Sequence, residues 1–319
     1  MSHEKPLVIA LEEHFMEPSL AQYLGKAASP PAYVSDRLYD FFDLRLSEMD
    51  AAGVDMQVLS HQSPGSQRLG DDVAVEACRN VNNALADVIA QKPERFAGFA
   101  MIPTNTPDLA ADELTRAVEE KGMKGAMIHG MNHGEFLDLR RYWPIFARAE
   151  ALGVPIYIHP SLPDKTVTER YYAPYDQTHS MMTKAAWGFG IEAGTHTVRL
   201  ILSGLFQEHP NLKILLGHLG EALPFWLSRI DESFARPGNP PSDFAEVFKR
   251  NFWLTTSGFF DDTAFGCTVE TMGIDRVLFA VDYPYASSKA GVDWLMQTRL
   301  TKEDLAKVAS GNAQRLLGL

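Results

Sequence analysis

Four apolar runs in this sequence end on an imidazole or a carboxylate. Leu11-Glu12-Glu13-His14-Phe15 closes the first and Ile156-Tyr157-Ile158-His159 the second. Leu215-Leu216-Gly217-His218 closes the third and Ala280-Val281-Asp282-Tyr283-Pro284 the fourth. Residues two apart on a strand share a face, so Glu12 and His14 point together and Glu13 points away. Two imidazoles and two carboxylates brought to one point are ligands for a divalent ion. Glu12, His14, His159 and Asp282 are assigned as that set. The mixture of nitrogen and oxygen donors suits Zn²⁺ or Mn²⁺ alike. His218 then stands beside the ion as an acid–base group. Glu221, three residues on at a helix start, can fix its tautomer and raise its pKa.

Such a convergence needs a scaffold that brings strand ends together. Eight β-rich runs recur along the chain: 7–13, 54–61, 96–102, 125–129, 155–159, 213–218, 252–257 and 276–282. Helix-like segments lie between most of them, at 72–91, 108–121, 139–152, 192–209, 221–235 and 263–272, with closing helices at 304–310 and 312–317. Segment 72–91 carries Val73, Ala77, Val81, Leu85 and Ile89 on a four-residue rhythm, one helix face. Pro224 falls in the first turn of its helix, where a missing N–H costs little. The alternation predicts an α/β protein, a single (β/α)8 TIM barrel over residues 1–319, with its chemistry at the strand C-termini. Neither a Gly-x-Gly-x-x-Gly after the first strand nor a Walker A pattern supports nucleotide binding.

Composition narrows the partners. Of 319 residues, 29 are Lys or Arg and 41 are Asp or Glu, a net charge of −12 that repels nucleic acid and anionic membranes. Hydrophobic residues at 45% are enough for a large core. No apolar run reaches membrane-spanning length, and Met1-Ser2-His3-Glu4-Lys5-Pro6 lacks the apolar run of a signal peptide. Cys78 and Cys267 are too few for a disulfide framework or a thiolate cluster. The expectation is a cytoplasmic protein.

The strand-end segments, read together, resemble the amidohydrolase-related aromatic acid decarboxylases. These include the γ-resorcylate, 2,3-dihydroxybenzoate and 5-carboxyvanillate decarboxylases and the aminocarboxymuconate semialdehyde branch. The similarity is carried by Ala10–Phe15, Tyr157-Ile158-His159-Pro160, Gly217-His218-Leu219-Gly220-Glu221-Ala222-Leu223-Pro224 and Asp282-Tyr283-Pro284, with weaker likeness at 43–50, 187–206 and 255–258. The resemblance implies a barrel of the metal-dependent hydrolase type and a carboxy-lyase. It would decarboxylate an ortho-hydroxybenzoate-like acid non-oxidatively, with one divalent metal and no organic cofactor. Asp282 would protonate the ring carbon, while His218 and Glu221 would hold the hydroxyl side. It further implies a homodimer or homotetramer, with Arg229 reaching the site of a neighbouring copy. Arg45, His129 and Phe15 are the other expected substrate contacts. Segment 166–187, with Tyr171, Tyr172, Tyr175 and Trp187, reads equally as an aromatic wall over the ring or as a packed surface loop. The competing activity is a mononuclear hydrolase of an amide, lactone or ring C–C bond. Glu12-x-His14 in place of His-x-His, and His129 rather than Lys ending the fourth strand, favour one metal and decarboxylation.

Overall fold

The computed structural model describes residues 5–24, 31–240 and 242–319. Residues 1–4 and 241, and all of the Pro- and Gly-containing stretch 28–31 except Pro31, lie outside them. All eight expected strands form: β1 Ile9–Phe15, which starts and ends two residues later than expected, and, trimmed at their ends, β2 Met56–His61, β3 Phe96–Gly98, β4 Ala126–His129, β5 Ile156–His159, β6 Ile214–Leu216, β7 Phe252–Thr255 and β8 Val277–Leu278. They pair in parallel and in chain order, as β1-β2-β3 and as β4-β5-β6-β7-β8. Two single bridges complete the ring. Ala100 beyond β3 pairs with Ala126, and Leu11 pairs with Ala280 beyond β8. The result is the expected (β/α)8 barrel.

Alternation along each strand divides the core in two. Ile9, Leu11, Val58, Phe99, Met127, Tyr157, Leu215 and Leu278 pack together inside the barrel, and Leu316 and Leu317 of the closing helix Asn312–Leu317 join them. Their neighbours of opposite parity, such as Ala10, Leu59, Ile128 and Leu216, face the helical layer. Helix Asp71–Gln91 shows why that layer forms. It buries Ala74, Ala77, Cys78, Val81 and Leu85 at three- and four-residue intervals and starts with Asp71 and Asp72 in its first turn. Val73 and Ile89 lie at the margin of this face rather than on it.

The sequence rhythm misses several helices. Pro18–Leu24, Ala32–Tyr39 and Leu44–Ala52 fill the long connection after β1, and Phe244–Asn251 and Ser288–Gln297 the later ones. The first three run only two to three turns, too short for a periodic pattern to stand out. Segment 166–187 is broken into short helical turns, with Tyr172 buried and Tyr171, Tyr175 and Trp187 exposed. Cys78 is buried and Cys267 half-buried, both free. Among the described residues no helix is long and apolar enough to cross a membrane.

Gly125 opens β4 at φ +141°, where a Cβ would stand 2.2 Å from the Pro155 carbonyl oxygen. That contact is with backbone of the neighbouring strand connection, so it cannot be relieved by a rotamer. Gly125→Ala is therefore expected to destabilise the fold by at least about 2 kcal/mol, read as a lowered denaturation midpoint. An unchanged midpoint would show that the strand entry can shift to make room.

Candidate active site

At the C-terminal mouth of the barrel, one donor atom from each of Glu12, His14, His159 and Asp282 lies within 4.8 Å of the others. His14 Nε2 is 3.2 Å from Asp282 Oδ1, and His159 Nε2 is 3.2 Å from Glu12 Oε1. His218 Nε2 stands 3.8 Å from Glu12 Oε1 and 3.9 Å from Asp282 Oδ2, with its Nδ1 2.7 Å from Glu221 Oε1. Glu12, His14 and His159 are buried, and Asp282 is partly exposed, facing the mouth.

A break in β1 places the first two. Leu11 faces the barrel interior. Strict alternation from Leu11 would turn Glu12 outward and Glu13 inward. The pairing of β1 with β2 shifts register between Ala10 and Glu13, and Glu12 takes φ +61°. The extra residue resets the parity. Glu13 instead lies outside the cluster, accepting from Val281 N–H at 2.8 Å and from Gln57 Nε2 at 3.3 Å. Asp282, His218, Glu221 and Ser257 also carry positive φ, between 36° and 68°. Such backbone is costly for non-glycine residues and here gathers at one place.

A second layer orients each donor. Tyr157 Oη and Ser257 Oγ both donate to Glu12 Oε2, and Ser60 Oγ is 3.2 Å from His14 Nδ1. His159 Nδ1–H donates to the Pro160 carbonyl at 2.7 Å, and His129 Nε2–H donates to the His61 carbonyl at 2.8 Å. These bonds assign the tautomers. His159 is left with a bare Nε2, facing the Glu12 carboxylate. Burial would raise the Glu12 carboxyl, but His218, His159 and His14 together hold it well below the usual carboxylate range. Burial opposes charge on His218, yet Glu221 and Glu12 outweigh it and raise the imidazole well above its ordinary value. Burial pushes His14 down.

The expected ligand set and the His218–Glu221 pair thus come together, whereas the other expected contacts do not. Phe15 faces away from the cluster, buried against Phe41 and His61. His129 is a neighbour of His159, Nδ1 to Nδ1 at 3.0 Å, with its other nitrogen on the His61 carbonyl. Both its ring nitrogens are used by the protein, and burial holds it neutral. Arg45 is fully buried behind β1, and its guanidinium donates to the carbonyls of His14, Arg37 and Asp40 and to Gln57 Oε1. It stacks on Tyr283 at 4.5 Å. Arg45 therefore braces the backbone that carries His14. Arg229 is exposed on helix Leu223–Phe234, outside its own chain's cluster. Sequence reading missed Tyr157, Ser257 and Ser60. Tyr157 sits two residues before His159, on the same face, which was its available signal.

Residues 14–319 match the amidohydrolase family. The chain belongs to that family. It is 36% identical over 325 residues to a γ-resorcylate decarboxylase of Polaromonas sp. (strain JS666), covering 98% of each chain. Its structure resembles that of a dihydroxybenzoic acid decarboxylase from Polaromonas sp. JS666 with bound manganese and the inhibitor 2-nitroresorcinol: TM-score 0.90, 35% identity, 99% of this chain and 98% of that one. It also resembles the 5-carboxyvanillate decarboxylase of Novosphingobium aromaticivorans with manganese and 4-hydroxy-3-methoxy-5-nitrobenzoic acid, at TM-score 0.91 and 30% identity, covering 100% and 98%.

The amidohydrolase cluster of this chain fits a metal ion on its own geometry. Glu12 Oε1 and His14 Nε2 are buried without a hydrogen-bond partner, among the most costly atoms to leave unmet. Both aim at the same point as the bare His159 nitrogen and the Asp282 carboxylate. Arg45→Met should lower stability by about 3 kcal/mol, because buried acceptors lose their donor. Substrate KM in the surviving folded fraction should hardly change. A raised KM at unchanged stability would return Arg45 to the substrate contacts.

Proposed function

We propose that this chain is a carboxy-lyase that decarboxylates an ortho-hydroxybenzoate-like aromatic acid, using one divalent metal ion, Zn²⁺ or Mn²⁺, and no organic cofactor. Glu12, His14, His159 and Asp282 would hold the ion. The observation that carries this reading is the four-donor group, three of its members buried, in a chain aligned end to end with decarboxylases. When bound, the ion is a Lewis acid for the substrate carboxylate and its neighbouring phenolate oxygen.

The residues supply the rest. Direct loss of CO₂ would leave an aryl carbanion, so the ring carbon bearing the carboxylate is protonated first. Asp282, the most exposed of the four, delivers that proton from the mouth. The ring carbon becomes tetrahedral, the C–C bond breaks, its electrons return to the ring, and CO₂ leaves. One proton is consumed and one C–H bond is formed per turnover. His218, kept cationic by Glu221 and Glu12, stabilises the anionic hydroxyl side. At 3.9 Å from Asp282 it is also placed to return a proton there. In a homodimer or homotetramer, Arg229 of a neighbouring copy would meet the substrate carboxylate.

Metal-loaded protein should release CO₂ from a panel of 2-hydroxybenzoates and leave benzoate untouched. Turnover of lactones with no ortho-hydroxy acid consumed would transfer the chain to the hydrolases. Asp282→Asn should lower kcat by about 10²–10⁴-fold with the fold intact; wild-type rates would remove Asp282 as proton donor. Metal analysis should find about one divalent ion per chain. Chelation should cost about 2.7 kcal/mol of stability when the free ion had stood at a hundredfold its Kd. Two ions per chain, or a melting temperature indifferent to chelator, would contradict the ligand set.

A further inference from the structure

His129 ends β4 as the register partner of His159 at the end of β5, yet it lies outside the four-donor group. Its buried ring is enclosed by the protein. The backbone N–H of His129 donates to Gln67 Oε1 at 3.2 Å. The turn at Gly65, φ +58°, passes so near that a Cβ there would stand 2.7 Å from His129 Cδ2 and 3.4 Å from its Nε2. The His159 ring meets it edge-on, with centroids 4.7 Å apart at 65°.

The surrounding atoms fix where the protons of both rings sit. A neutral imidazole has one N–H and one lone pair. His129 Nε2 is 2.8 Å from the His61 carbonyl oxygen, and its Nδ1 is 3.0 Å from His159 Nδ1. A carbonyl only accepts, so His129 carries its proton on Nε2 and turns the Nδ1 lone pair to His159. His159 Nδ1 is 2.7 Å from the Pro160 carbonyl oxygen and is the N–H of its own ring. The opposite tautomers would set lone pair against lone pair at both carbonyls. One N–H of His159 is thus shared between two acceptors, the Pro160 carbonyl and the His129 ring. The chain of contacts runs from the His61 carbonyl through His129 to His159, whose bare Nε2 stands 3.2 Å from Glu12 Oε1.

We propose that His129 is a positioning residue for a metal ligand: its Nδ1 lone pair accepts from His159 Nδ1–H, aims the His159 ring and strengthens its Nε2 as a donor to the ion. The proposal rests on the reading of Glu12, His14, His159 and Asp282 as ligands. What the bond contributes depends on the ion. A cation at Nε2 draws electron density from the imidazole and makes its Nδ1–H a stronger hydrogen-bond donor. The His129 acceptor therefore stabilises the metal-bound state more than the metal-free one, and only that difference enters the affinity.

Two substitutions separate the two ring nitrogens. His129→Asn keeps an oxygen acceptor near the place of Nδ1 and gives up the donor to His61. His129→Gln keeps an amide N–H near the place of Nε2 and gives up the acceptor to His159. Each loses one hydrogen bond, so their metal-free denaturation midpoints should fall alike. The test titrates the metal-free full-length chain with Zn²⁺ against a chromophoric chelator. It also records the ring ¹⁵N shifts of the wild-type histidines. The zinc Kd of His129→Gln should rise by about 10–100-fold, while that of His129→Asn stays within about threefold of the wild type. The shifts should place a proton on His129 Nε2 and on His159 Nδ1. A wild-type Kd in His129→Gln would overturn the proposal. Equal weakening in both variants would do the same, because a merely structural role makes no distinction between the two nitrogens. A proton on His129 Nδ1 would also overturn it, and this arm decides alone if neither variant folds. A wild-type chain with no affinity for zinc would remove the ligand set and this inference together, whereas a wild-type Kd in His129→Gln removes this inference alone.

Discussion

Four electron-pair donors are held at the top of this barrel within 4.8 Å of one another, three of them buried. Without a cation between them they oppose folding. Carboxylates repel, bare imidazole nitrogens face carboxylate oxygens, and water is largely kept out. An unmet buried charge costs several kcal/mol. The surrounding structure is arranged to withstand that cost. Tyr157 and Ser257 take the far oxygen of Glu12, Ser60 approaches the far nitrogen of His14, and Pro160 takes the far N–H of His159. Each of these three keeps one atom free and has the other tied. That division orients a ligand and leaves its coordinating atom bare.

The backbone follows the same demand. Glu12, His218, Glu221, Ser257 and Asp282 all adopt positive φ, a conformation that costs a non-glycine residue roughly 1–3 kcal/mol. In each case the strand has just ended or is interrupted, and regular alternation would send the side chain elsewhere. The bulge in β1 is the clearest instance. It delivers Glu12 and His14 inward together and leaves Glu13 to close the gap between β1 and Val281. Arg45 then braces the segment from behind by donating to the His14 carbonyl.

The barrel was legible because the strands are short apolar runs and four of them end on residues that apolar packing cannot use. The same contrast exposed Glu12, His14, His159, His218 and Asp282. Other features were hidden for physical reasons. Short helices such as Leu44–Ala52 carry too few turns to display a period. Arg45 has the residue type of an anion binder, and nothing local reveals that three backbone carbonyls and the Gln57 side chain take its hydrogen bonds. His129 ends a strand like the ligands do, but its partners are the His61 carbonyl and the imidazole of His159 on the adjacent strand, contacts to other strands that its own segment does not reveal. Phe15 follows His14 directly, and neighbours on a strand point to opposite faces.

The net charge of −12 and an anionic substrate are reconciled by distance. Surface charges are screened within about 8–10 Å at physiological ionic strength, so a small acid at the mouth responds mainly to what lies inside it. Glu12 and Asp282 alone would repel it. A bound divalent cation reverses that sign locally, and His218, charged through Glu221, adds to the reversal. Arg45 contributes little, since its charge sits behind β1 and is spent on carbonyls and the Tyr283 ring. An extended polyanion cannot exploit this arrangement, because most of its charges would meet the acidic surface rather than the cation. Selection for small acids over polymers is thus a consequence of where the positive charge is buried, and depends little on the shape of the mouth.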